Sequence, residues 1–435
     1  MKKTILLLLA ILICTLYGCK DNQDTPEDLN FTVSQTTFTD LSAEENNVQV
    51  NMTCNKEWTA ISNTSWCTVT PTTGNGNTEL SITLAANESV TSRTAIITLK
   101  CKDLIKQITL SQKGIDFSTY KYTIPVIFHV FYKDKSNPLQ YVDASRLKSI
   151  LENVNTLYKK SGIYDKINFE FELATTDKIG NKLSTPGVEY VYWNDSYPID
   201  YMNFMTDNTG KYTTYLWEPN DYINVMIYNF KDDSSTSITL GISHLPLSIK
   251  GNTFLEGLNE TTYTSLNLSN LKYALCVSIN SLKINSESTN KIYDPSDINV
   301  TLAHELGHYL GLHHVFSETE STLGCEDTDF CTDTESYNFN EYQAYCDDIY
   351  KNHIEEYTFQ NLLKRTNCSN LTFISKNIMD YAVGYANEFT AQQAARMRHV
   401  LVYSPLIPGP KNISSQSTSS RSYEGPLDLP IKVLK

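Results

Sequence analysis

Beyond its first nineteen residues the chain has no run long and apolar enough to cross a bilayer, which excludes a bundle of membrane-spanning helices over those residues. Basic charge is also short. Thirty-five Lys and Arg stand against 49 Asp and Glu, a net charge of -14, so nucleic acid is not an expected partner. Histidine is scarce: there are eight, and His304, His308, His313 and His314 are four of them. What the chain has in quantity is length, 435 residues, enough for two or three domains. It also has 28 tyrosines and many Asn, Ser and Thr, a polar and aromatic surface that suits an exported protein.

The histidine-rich stretch reads His304-Glu305-Leu306-Gly307-His308-Tyr309-Leu310-Gly311-Leu312-His313-His314. It fills every fixed position of His-Glu-x-x-His-x-x-Gly-x-x-His, a pattern that chance produces in about one chain in a hundred thousand of this length. On a helix, residues four apart share a face, so His304 and His308 can aim at one point with Glu305 beside it. Gly311 supplies the positive φ that turns the chain back, which brings His314 in as a third nitrogen. Three neutral imidazoles and one open position describe a catalytic zinc site rather than a structural one. His313 is off the spacing and reads as structural.

Asn377-Ile378-Met379-Asp380-Tyr381 follows about sixty residues later, where metzincin proteases place the methionine turn. Together the two segments resemble that clan, and within it the pappalysin (cytophagalysin, ulilysin-type) family. Ile124-Pro125-Val126-Ile127-Phe128-His129-Val130 is similar to the family's opening strand. Asp329-Phe330-Cys331-Thr332-Asp333-Thr334 is similar to its Asp-x-Val-x-Asp-Thr-Pro loop, with Cys331 for Val and Glu335 for Pro. Phe389-Thr390-Ala391-Gln392 with Arg396-Met397 is similar to its closing helix. The resemblance implies an α/β metzincin domain over residues 118–405 that hydrolyses peptide bonds of extracellular proteins with one catalytic zinc. His304, His308 and His314 would be ligands and Glu305 the general base, with Met379 an apolar floor. Tyr381 would be either a second donor to the oxyanion or packing beside the turn. Asp329, Thr334 and the Thr332 carbonyl match a structural calcium site of the family, the alternative being a solvated acidic loop. Gly241, Ile242 and Ser243 resemble its edge strand, to which an extended peptide docks antiparallel. His244 beside them reads as a wall residue.

The same resemblance implies the cysteine pairing of the lower region, Cys325 with Cys368. A local bridge of Cys331 with Cys346 would stand in for a family disulfide whose second cysteine is here Ala386. The family's taste for basic residues after the cut does not carry over, since Tyr381 to Asn387 contains no acid. Asp294-Pro295 signals the start of the helix bearing the first two histidines, with Asp as N-cap. Strands are expected at Ile124–Tyr132, Ile167–Leu173, Tyr222–Tyr228 and Tyr273–Ile279, and a helix at Ala144–Lys160.

The N-terminus reads as an export signal. Lys2 and Lys3 precede the apolar run Ile5 to Ile13, and Leu16-Tyr17-Gly18-Cys19 follows. It resembles a bacterial lipoprotein signal over 1–18, with Cys19 as the lipid-bearing first residue of a tether over 19–30. Tyr17 is unusual there, and a plain cleaved signal is the alternative. Lys20 to Asp24 is similar to the surface-export signal of Bacteroidota lipoproteins, which implies anchoring at the outer-membrane surface. From Phe31 to Gly114, strict alternation through Val48, Val50, Met52 and Cys54, then Leu80, Ile82 and Leu84, then Ala95, Ile97, Leu99 and Cys101, indicates an all-β, Ig-like sandwich. Trp58, Trp66-Cys67, Gly74-Asn75-Gly76, Arg93 and Gln112-Lys113-Gly114 resemble a BACON domain, a family assumed to bind glycan or mucin. Trp58 and Trp66 fit a core role better than a sugar platform. Cys54 and Cys101 are in phase with the core, as a pair or as buried thiols. The tail over 406–435, rich in Ser and Pro, is expected to be disordered. A second reading of the whole is a glycan- or host-protein-binding surface lipoprotein with a silent protease part.

Overall fold

The structure is a computed structural model and describes residues 29–87, 89–161, 167–231, 238–288, 294–318, 324–381, 383–412, 427 and 429–434. Residues 1–28, with the signal and Cys19, lie outside it. The chain divides into two units, Met1–Gly114 and Ile115–Lys435.

The first unit is a pair of sheets. One runs in the order Phe31–Val33, Asn46–Cys54, Thr78–Leu84, Cys67–Thr70; the other Thr37–Leu41, Leu104–Gln112, Arg93–Cys101, Glu57–Ser62, Thr73–Asn75. Period-two strands point alternate side chains inward, so Val50, Leu80, Ile82, Ala95, Ile97 and Leu99 are buried completely. Trp58 is buried in this core, and its indole N–H donates to Gly76 O at 2.9 Å. Trp66 packs against the same core beneath the Arg93 guanidinium, 4.1 Å from its ring. Cys54, Cys67 and Cys101 are free buried thiols.

The second unit is built on a mixed sheet in the order Phe169–Leu173, Tyr122–Tyr132, Ile223–Tyr228, Val277–Asn280, Gly241–His244, Ile431–Leu434. The first four strands are parallel, and Val188–Tyr192 also pairs with Tyr122–Tyr132. The helix Ala144–Lys160 turns Leu147, Ile150, Leu151, Val154 and Tyr158 inward, and the Tyr158 hydroxyl donates to Ala303 O at 3.0 Å on the next long helix, Ile298–Tyr309. That second helix is buried almost all round, as a helix wedged between a sheet and further structure must be.

Four expectations are corrected. The strand Tyr273–Ile279 begins only at Val277, because the backbone turns before it, with Leu275 N–H on Tyr273 O. The buried helix is capped by Asp297, which accepts from the amides of Asn299 and Val300, and not by Asp294. Asp294 is committed instead to Ser286 and Ser296. Cys331 and Cys346 do not pair: both are free, Cys331 buried beside Asp329 and Arg396, Cys346 beside Tyr342 and Arg365. The tail is not uniformly disordered either. Leu406, Ile407, Leu427 and Leu429 are buried, and Ile431–Leu434 joins the sheet antiparallel to Gly241–His244. Alternate apolar residues give this segment a face to bury.

Candidate metal centre

Each histidine of the motif is held by its own second nitrogen. His304 Nδ1 meets Ile378 O at 2.7 Å, His308 Nδ1 meets Leu312 O at 2.8 Å, and His314 Nδ1 meets Glu318 Oε1 at 2.7 Å. Oxygen acceptors at all three Nδ1 positions fix that nitrogen as the N–H and leave Nε2 with its lone pair, the tautomer a metal needs. The geometry follows from local folding. His304 and His308 are one helical turn apart, and Gly311, at φ +89°, ends the turn so that His314 folds back. His308 Nε2 and His314 Nε2 stand 3.1 Å apart, and the three ligand atoms lie within 4.8 Å of one another. His304 Nε2 is buried with no hydrogen-bond partner.

The three imidazoles are neutral for a simple reason. Burial lowers the pKa of all three, that of His304 to about 3, with His314 adding a smaller push on the other two. This donor set, neutral, convergent and with one orphaned nitrogen, fits a zinc ion with an open position. Glu305 is fully buried next to it, and neither carboxylate oxygen has a partner. Burial alone raises its pKa well above the ordinary range. Gly241 lies directly over this carboxylate: a Cβ there would come within 2.6 Å of Glu305 Oε1. Its strand, expected at an open edge, is paired on both sides, by Val277–Asn280 and by Ile431–Leu434.

The floor is the turn around Met379. Met379 is completely buried, and its carbonyl receives the Val315 N–H at 3.2 Å. Asp380 fixes the turn. It takes the Tyr337 hydroxyl at 2.5 Å and the Ser375 hydroxyl, with Arg365 Nε 3.6 Å away. Arg365, itself buried, donates to Leu362 O and Val383 O and lies 3.5 Å over the Tyr342 ring. The Tyr381 ring stands 4.4 Å from that of His314, and its hydroxyl donates to Val433 O of the C-terminal strand.

The remaining sequence candidates fall as follows. His313 is outside the cluster, packed 5.3 Å from the Phe330 ring. His244 is buried in the wall, with Nδ1 against the Cys276 backbone and Nε2 3.1 Å from Met205 O. Cys325 and Cys368 form a disulfide. Asp329 accepts from Cys331 N–H and the Thr334 hydroxyl, while Thr332 is tied to Gln392. Among the described residues the groups placed to share an ion do not include this loop, so calcium there gains no support. Sequence reasoning missed Glu318, which holds His314 and meets Lys432, and the Arg365–Asp380 pair. An acid four residues after the third histidine was the available signal for the first; nothing local marked the second.

Residues 277–402 match the Peptidase_M43 family model, described as "Pregnancy-associated plasma protein-A", a pappalysin-type metzincin and zinc metalloprotease family. Residues 56–113 match the BACON model, described as "Putative binding domain, N-terminal". Both families named by the resemblance are therefore found, in the expected order. No curated protein matches the chain. Among solved structures it is similar to a Bacteroides ovatus GH5 xyloglucanase in complex with a XXXG heptasaccharide, with 16% identity over 47% of this chain and 38% of that one, at a TM-score of 0.20. It is also similar to a protein from Bacteroides thetaiotaomicron solved by NMR, with 14% identity over 21% of this chain and 94% of that one, at a TM-score of 0.16. The chain thus spans well under half of the xyloglucanase, and at these scores neither likeness carries an argument.

Proposed function

We propose that the chain is a zinc-dependent endopeptidase acting on extracellular proteins. The observation that supports it most is the convergence of three Nε2 atoms whose Nδ1 partners are all oxygens, beside a buried Glu305 with no protein partner. His304, His308 and His314 would hold the ion. When bound, zinc lowers the pKa of a coordinated water to about 7 and polarises the scissile carbonyl. Glu305 takes the proton from the attacking water and passes it to the leaving amine. Tyr381 directs its hydroxyl to the carbonyl oxygen of that bond, and the strand Gly241–His244 aligns the peptide by backbone hydrogen bonds on the side that Ile431–Leu434 covers. Export with a lipid on Cys19 belongs to the same reading, as does a spacer or glycan-binding role for the β unit. Mass spectrometry of the mature N-terminus tests the lipid.

Glu305→Ala tests the reaction. It is expected to retain about one zinc per chain, since it removes no ligand, and to lower hydrolysis by about two to four orders of magnitude. An unchanged rate would contradict the assignment.

A further inference from the structure

The strand Gly241–His244, expected as an open edge, has a neighbour on its outer side. Ile431–Leu434 runs antiparallel along it, with Gly241 opposite Leu434, Ile242 opposite Val433, Ser243 opposite Lys432 and His244 opposite Ile431. Leu245 N–H extends the ladder to Pro430 O at 2.8 Å. An open edge beside a cleft is the place where an extended peptide adds as a strand, so the chain's own end lies where a substrate would.

Two side-chain contacts separate this from mere closure of a sheet. The Tyr381 hydroxyl donates to the carbonyl of Val433, which puts the bond after Val433 where the proposed reaction puts the scissile bond. Lys432 turns its ammonium onto Glu318, with the two side chains only 18% and 22% exposed. The same carboxylate receives His314 Nδ1, so this basic side chain is drawn to the rim of the metal centre. A strand that only covered an edge would have no need to take a charge out of water there. Leu429 anchors the segment in an apolar niche lined by Leu247, Tyr309 and Leu406.

We infer that residues 429–434 are a resident pseudo-substrate. They fill the peptide groove, and Lys432 marks Glu318 as a subsite for a basic side chain at the second residue before the cut. The inference rests on the peptidase reading. It concerns a different position from the residue after the cut, where the stretch Tyr381 to Asn387 offers no acid. Substrates with Lys or Arg at this place pair with Glu318 as Lys432 does, and must displace the tail to reach it.

The test uses the full chain carrying Glu305→Ala, with and without Lys432→Pro and Leu434→Pro, which remove the two strand N–H groups that face Ser243 and Gly241 in the ladder. Each chain is titrated with a fluorescent peptide of the sequence Leu429-Pro430-Ile431-Lys432-Val433-Leu434, and with the same peptide carrying Lys432→Glu. A tethered strand competes at an effective concentration of about a millimolar, so the proline pair is expected to tighten apparent affinity by about tenfold or more. The acidic peptide is expected to bind about tenfold more weakly than the basic one. Equal affinity in the two chains would overturn the resident occupant, and equal binding of the two peptides would overturn the Glu318 subsite. Cleavage by the matching chains with Glu305 intact separates the two claims. Tighter binding without any chelator-sensitive cut would remove the peptidase reading, whereas cuts at equal rates with and without the proline pair would remove the pseudo-substrate.

Discussion

Among the described residues of the N-terminal unit, buried Asn87 and Gln112 are fully employed, and Thr64 Oγ1 is a lone buried atom without a partner. Asn87 donates to Thr91 O and Lys113 O and accepts from Ser89 N–H. Gln112 donates to Glu44 O and Ala85 O and accepts from Arg93. In the second unit single atoms of Tyr228, Tyr309, His313 and Arg365 lack a hydrogen-bond partner too, but His304 Nε2 and both Glu305 oxygens are three such atoms on consecutive residues. Folded proteins pair almost all buried polar atoms, so a local cluster of unpaired ones marks a place kept for something else. The β unit leaves one isolated hydroxyl unpaired, whereas the second unit places three unpaired atoms on two consecutive residues of the metal centre.

Three variants put that contrast to the test. Asp380→Ala leaves Arg365 buried without its counter-charge beneath the methionine turn, a loss of about 3–5 kcal/mol. Chemical denaturation should show it in the second unit, with weaker zinc retention. Ile97→Ala opens a cavity in the β unit and costs about 2–5 kcal/mol there. Because the two cores share no residue, hydrolysis and zinc content should stay at the wild-type level. A fall in either would deny the units their independence. Asp329→Asn is the subtlest. Burial pushes the Asp329 carboxyl up to about 7, so the folded chain binds this proton more tightly than the unfolded one. Its contribution to stability is present below about pH 4 and is lost as pH rises through about 7. The variant should flatten that part of the stability-versus-pH curve without altering cleavage. Calcium that protects the native chain from denaturation but not the variant would revive the cation site.

Much of this architecture was legible. Strict alternation located the sandwich because period-two burial leaves a direct trace in sequence, and histidine spacing located the centre because a helix turns at a fixed pitch. What escaped was decided by competition or by distance. Asp294 carries a capping signature, yet two serines claim it and Asp297 takes the amides. Cys331 and Cys346 are close in sequence, but each is packed among different neighbours. Glu318 acquires its meaning from Lys432, 114 residues away. The C-terminal strand left a trace after all, in the alternation of Leu427, Leu429, Ile431 and Val433, masked by the Ser-rich stretch before it.

The central claim is that the three histidines and Glu305 make a peptide-cutting zinc centre. Its most direct test is digestion of a mixed peptide library by the full chain with the Lys432→Pro and Leu434→Pro pair, read by mass spectrometry with and without a chelator. The account predicts cuts that the chelator abolishes and that are lost when Glu305→Ala is added. Zinc bound at about one per chain with no cuts from the released groove would contradict it.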